Sequence, residues 1–272
     1  MLKFIFIFLL LFSKIVYAQD IEKINVVVTI APLAYFVEEI GKDRVDVSVM
    51  VPSGADPHSY EPSVSQMKKI DKADIYVKIG TAIDFEIDWL DKLFDLNKNM
   101  RNCDSSLGIN ADDPHIWLSV EYAKIISKNI KDTLVGFDPD NKDFYEKNTL
   151  DLIQRLDDLK KEINLKLSGL KNRSFLVIHP AWEYFAQDFN LKQFVVEYEG
   201  KEPGPKAMAE IINNAKQNNI KVVFVSPQFS KKSAQVIASE IGGRVEEIDP
   251  LAYDYIENLR KAADLIQLKI KN

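Results

Sequence analysis

The chain has 272 residues, with 41 Asp+Glu against 35 Lys+Arg and a formal net charge of −6, which excludes the basic footprint of a nucleic-acid-binding protein. At 46% hydrophobic residues it is too apolar for a disordered chain and long enough for one large domain or two small ones. Its one cysteine, Cys103, excludes an intramolecular disulfide, so stability has to come from packing.

Taken in chain order, Lys3 precedes an apolar run over 4–12, and Val16-Tyr17-Ala18 offers the small residues a signal peptidase reads. Residues 1–18 are therefore expected to be a cleaved secretory signal peptide. The apolar run is too short to span a bilayer comfortably, and no second long hydrophobic stretch follows it. No cysteine adjoins the cleavage site for lipid attachment. A periplasmic protein without a permanent membrane anchor is the expectation. Loss of Lys3 and Lys14 with the signal leaves 33 basic against 41 acidic residues, a net charge of −8.

Residues 19–141 carry short β-branched runs at 24–30, 45–51 and 75–79, with amphipathic helical stretches at 31–40 and 63–72. Residues 171–272 repeat that alternation, with runs at 175–178, 194–198, 222–225 and 245–248 and helices at 206–218 and 231–241. Apolar runs of this kind, alternating with helices, predict an α/β fold with open, mostly parallel sheets, one group in each half. The halves show no sequence repeat. Between them, residues 142–170 read differently: Leu152, Leu156, Leu159 and Ile163 recur at spacings of four, three and four, predicting one helix from Lys142 to Leu167. At 1.5 Å per residue it would be roughly 40 Å long, enough to brace two lobes or to cover one sheet. Neither G-x-G-x-x-G nor the P-loop pattern occurs, which removes the usual phosphate-binding signatures.

The three histidines all adjoin proline: Pro57-His58, Pro114-His115 and His179-Pro180. Proline stiffens a loop and holds a ligand ready before its ion arrives, when ordering would cost about 1–2 kcal/mol per residue. His58 and His179 follow predicted strands, at the sheet ends where open α/β folds bind ligands. His115 enters an apolar segment. Asp249 follows the last predicted strand and precedes Pro250, so its carboxylate is either a helix cap or a fourth ligand. No zinc-finger or His-Glu-x-x-His spacing is present. A zinc hydrolase with Glu61 or Glu183 as base is the enzymatic alternative, although four protein ligands leave little room for catalytic water.

The segments Pro57-His58-Ser59-Tyr60-Glu61-Pro62-Ser63, Pro114-His115-Ile116-Trp117-Leu118-Ser119, His179-Pro180-Ala181-Trp182-Glu183-Tyr184-Phe185 and Asp249-Pro250-Leu251 resemble, in order, those of zinc/manganese solute-binding proteins of ABC transporters. The resemblance implies metal ligands at His58, His115, His179 and Asp249. It also implies a single rigid linker helix between the lobes and a non-enzymatic monomer that hands one divalent ion to a membrane permease. Three imidazoles and one carboxylate suit Zn²⁺ better than the oxygen-rich shells preferred by Mn²⁺, and Mn²⁺ is the alternative cargo. Zinc-binding relatives often carry a histidine-rich acidic loop between the first two ligand segments, and here 104–114 contains no histidine. The charged loop from Glu199 to Lys206 falls, by the same resemblance, near the mouth of the site, and Trp117, Trp182 and Phe185 adjoin ligand segments.

Overall fold

A computed structural model describes residues 22–197 and 203–270. The expected signal peptide and residues 199–202 of the 199–206 loop lie outside the described residues. The first half forms β1 (Ile24–Ile30), β2 (Val45–Val51), β3 (Ile75–Lys78) and β4 (Arg101–Asp104), all parallel, in the order β2-β1-β3-β4. The second half forms β5 (Ser174–Val177), β6 (Lys192–Val195), β7 (Val222–Val225) and β8 (Arg244–Glu247), again all parallel, in the order β6-β5-β7-β8. The two lobes thus share one winding without sharing a recognisable sequence. Nine α-helices are described: α1 (Ala31–Gly41), α2 (Val64–Ile70), α3 (Asp84–Leu96), α4 (Val120–Phe137), α5 (Lys142–Leu167), α6 (Glu183–Asp188), α7 (Pro205–Gln217), α8 (Lys231–Glu240) and α9 (Tyr255–Ile270). Among the described residues none is long and apolar enough to cross a membrane.

Most differences from the sequence expectation concern strand edges. The strand expected at 194–198 begins two residues earlier, because Lys192 and Gln193 already pair with β5. Its ladder continues through Val196 N–H and Glu197 N–H to the carbonyls of Val177 and Ile178. β4 carries no hydrophobic run; it is an edge strand in which only Cys103 is buried, and burial pushes that thiol up to about 11.

Strand periodicity explains how the lobes are joined. Successive strand side chains point to opposite faces. Phe175, Val177, Val222 and Phe224 face a core shared with β1, α1, α4 and α5. Leu176, Ile178, Val223 and Val225 face a second core under α8. On α5, Leu152, Leu156, Leu159, Ile163 and Leu167 are all buried in the shared core, and the helix packs against α1 and α4 of the first half and α9 of the second. It is therefore an internal wall common to both lobes as well as the covalent link between them.

Glu86, at the start of α3, fastens that helix to the carboxyl ends of β1 and β3. Its carboxylate accepts hydrogen bonds from Thr29 Oγ1 (2.6 Å), Ile79 N–H (2.6 Å) and Gly80 N–H (3.0 Å). Burial, partly opposed by those donors, raises its pKa above the usual carboxylate range. Glu86→Ala would strand three donors, two of them main-chain, at about 1–3 kcal/mol for each buried unsatisfied group. We expect a melting temperature lower by roughly 10 °C, read by differential scanning calorimetry; an unchanged transition would mean that water or neighbouring groups replace the carboxylate.

Candidate metal centre

Every predicted ligand lies in a loop after the carboxyl end of a strand: His58 after β2, His115 after β4, His179 after β5 and Asp249 after β8. The lobes present these ends to one another. His58, His115 and His179 converge there, each offering a ring nitrogen within 4.8 Å of the others.

The rings are oriented alike. Nδ1 of His58 lies 2.7 Å from Asp84, that of His115 lies 2.8 Å from Asp113, and that of His179 lies 3.0 Å from Glu197. An ionised carboxylate only accepts, so each Nδ1 carries the proton and each Nε2 turns a lone pair toward the centre. His115 Nε2 and His179 Nε2 stand 3.2 Å apart, while His58 Nε2 is buried with no hydrogen-bond partner. Such facing lone pairs call for a cation. With Zn–N bonds of about 2.0–2.1 Å, tetrahedral ligands sit about 3.3 Å from one another.

Local structure holds each ring in place. Asp56-Pro57-His58 and Asp113-Pro114-His115 make the same turn, with the Asp Oδ1 accepting the histidine N–H at 3.0 and 2.8 Å. Phe229 stacks on His179 at 4.8 Å and 20°. Trp117 packs against His115 at 5.2 Å. His115 is almost wholly buried, which pushes its pKa down, aided by the two nearby imidazoles and opposed by Asp113; the ring is kept neutral, as a ligand must be.

The histidines line a cavity of about 10 Å³ with Trp117, Gln228 and Phe229, room for a single water-sized particle. Toward solvent it opens into a wider mouth of about 590 Å³ where Asp56, Asp84, Asp113 and Glu197 supply negative charge, a field that concentrates cations. Glu61, Glu183, Trp182 and Phe185 do not line the cavity. Glu183 is instead bonded by Gln187 and Gln193. Asp249 lies outside the three-histidine group; its Oδ1 accepts from Leu251 N–H (2.9 Å) and from Gln228 Nε2 (3.0 Å).

The profile of the family described as zinc-uptake complex component A, periplasmic, matches residues 26–268. The chain belongs to this family. The high-affinity zinc uptake system protein ZnuA of Bacillus subtilis is 30% identical over 252 residues, 85% of this chain and 79% of the relative. A crystal structure of ZnuA superposes with a TM-score of 0.89 at 42% identity, covering 92% of this chain and 100% of that one. The manganese ABC transporter substrate-binding lipoprotein PsaA of Streptococcus anginosus is 28% identical over 238 residues, 80% of this chain and 77% of the relative. The two-lobe α/β architecture is thus that of a solute-binding protein.

The carboxylates behind the rings are absent from the sequence-based set. Asp113 was within reach of sequence reading, since Asp-Pro-His occurs twice; Asp84 and Glu197 stand 26 and 18 residues from the rings they hold. Such partners fix ring orientation and commonly contribute tenfold to a hundredfold in metal affinity. In competitive Zn²⁺ titration we expect Glu197→Ala to weaken binding by about that range and Asp84→Ala, at the more exposed site, by about tenfold or less. Equal affinity for wild type and Glu197→Ala would remove the positioning role.

Proposed function

We propose that this chain is an exported carrier that binds one divalent transition ion, Zn²⁺ foremost, between its lobes and passes it to the permease of an ABC importer. In this reading it works as a periplasmic monomer with no catalytic step. His58, His115 and His179 are the nitrogen ligands, and Asp249 is the oxygen ligand that the resemblance implies. The observation that carries the proposal is the meeting of three Nε2 atoms, two of them 3.2 Å apart and the third buried without a partner. The cavity they line admits one ion and no organic substrate.

The ligand set favours Zn²⁺, and the intrinsic order of affinities does so too, so tight zinc binding in vitro is not by itself proof of the cargo. The deciding experiment is elemental analysis of protein purified from its native periplasm, followed by competitive titration with Zn²⁺ and Mn²⁺. Stoichiometric zinc is expected. Bound manganese would make the chain a manganese carrier of the same family, and failure to bind either ion would end the proposal.

A further inference from the structure

The histidines stand between two spaces, the inner cavity of about 10 Å³ and the outer mouth of about 590 Å³. Asp56, His58, His115, His179 and Phe229 line both. These residues form the partition that an ion crosses between solvent and the inward-facing nitrogens. The partition is tight, because His58 Nε2 is buried although the His58 side chain as a whole is 27% exposed.

All but one of these residues are tethered by polar bonds. The Nδ1 atoms of His58, His115 and His179 are bonded to Asp84, Asp113 and Glu197. Asp56 accepts from His58 N–H at 3.0 Å and from Ser59 Oγ at 3.2 Å. Phe229 has no polar group in its half-buried side chain; its ring is held by the stack on His179, with centroids 4.8 Å apart and planes 20° apart. Displacing any of the others breaks hydrogen bonds to a carboxylate, whereas displacing the Phe229 ring gives up an aromatic contact alone.

The main chain on either side of Phe229 is fixed. Phe229 N–H donates to the Ser226 carbonyl at 3.0 Å, and Ser230 caps α8 by accepting from Lys232 N–H at 3.3 Å. Movement is thereby confined to side-chain torsions, which turn faster than loops or lobes move. Among the described residues, Ile178 and Val196 line with Phe229 a further space of about 50 Å³, apolar surface toward which the ring can turn without being stranded in water.

We propose that Phe229 is the gate of the metal cavity: its ring closes the partition while stacked on His179 and turns aside to let an ion enter or leave, with lobes and ligand loops in place. This rests on the reading of His58, His115 and His179 as ligands. The frame gives such a device its use. α5 is buried in a core common to both lobes, and Trp117 and Asp188 tie the lobes together beside the site, so wide lobe opening would break packing and hydrogen bonds that a turning ring leaves intact. The inner cavity holds one water-sized particle, so the ion crosses the partition without its water shell.

A gate raises one barrier shared by entry and exit, so removing it speeds both; a residue that merely props His179 would change exit alone. In stopped flow with a fluorescent zinc indicator, Phe229→Ala is expected to raise the Zn²⁺ association and dissociation rate constants together, each by about tenfold or more, within the range over which on-rates vary among mutants of one site. Faster dissociation with unchanged or slower association would make Phe229 a prop for His179 and overturn the gate, as would two unchanged rates. Should Phe229→Ala fail to fold, Phe229→Leu, which keeps an apolar side chain without the planar ring, carries the same test: a joint rise supports the gate and a rise in dissociation alone overturns it. Wild-type protein that takes up neither Zn²⁺ nor Mn²⁺ would overturn the carrier reading itself, and the gate with it.

Discussion

His115→Ala is expected to abolish high-affinity metal binding, lowering Zn²⁺ affinity by a hundredfold or more, beyond the tenfold to hundredfold range of outer positioning groups. His115 is the most deeply set of the three rings, with its side chain 5% exposed, against 27% for His58 and 10% for His179. It therefore has no freedom to be replaced by water without opening the interface. The metal-free protein should be little harmed, because Asp113 still accepts from the main-chain N–H at position 115. Removing an Nε2 that faces another at 3.2 Å also relieves a repulsion. The clearest readout is thermal. Binding at a thousand times Kd stabilises the folded state by about 4 kcal/mol, roughly 10 °C for a chain of this size. Wild type should show that shift with Zn²⁺, and His115→Ala should show almost none at the same concentration. A full shift in the variant would mean the ion binds elsewhere.

What the sequence disclosed and what it concealed follow from the range of each interaction. β1, β2, β7 and α5 were legible because their signals are local: β-branched runs in the strands and the Leu152, Leu156, Leu159, Ile163 stripe in the helix. α4 carries an equally local stripe in Val120, Ala123, Ile126, Ile130 and Leu134, so it was open to the same reasoning. β4 was not, since Arg101-Asn102-Cys103-Asp104 forms a strand only because β3 offers it an edge to pair with. The histidines stood out through their prolines. Their carboxylate partners, and the use of Asp249 as an acceptor for Gln228, depend on which loops the fold brings together. The continuous apolar runs of β5 and β7 announced that both faces were buried, without saying that one face belongs to a core shared by both lobes.

That shared core makes Trp117 the second residue whose loss should be severe. Trp117 sits two residues past His115, is 1% exposed, and donates from Nε1 to the Pro250 carbonyl of the other lobe at 2.7 Å. The whole 113–120 segment is tied across in the same way. Tyr184 OH accepts from Asp113 N–H, Asp188 accepts from Ser119 Oγ and Val120 N–H, and Tyr255 OH donates to the Ser119 carbonyl. Burial pushes the Asp188 pKa up, opposed by the nearby Lys160 charge and by the donors Ser119 Oγ, Val120 N–H and Glu121 N–H. His115 is thus mounted on a segment that belongs to the first lobe by sequence and is tied to the second by hydrogen bonds. Trp117→Ala should cost about 3–5 kcal/mol through the cavity it leaves and lower the melting temperature by roughly 10 °C. Trp117→Phe, which keeps most of the packing and deletes the Nε1 donor, should cost about 1–3 kcal/mol by leaving the Pro250 carbonyl unpaired. Both should weaken Zn²⁺ binding as well, because Trp117 packs on the His115 ring and its Pro250 anchor adjoins Asp249. If Trp117→Phe lowers stability and leaves zinc affinity unchanged, the crossing bonds serve the fold alone; if both fall together, the clamp that joins the lobes is also what holds the His115 imidazole in register.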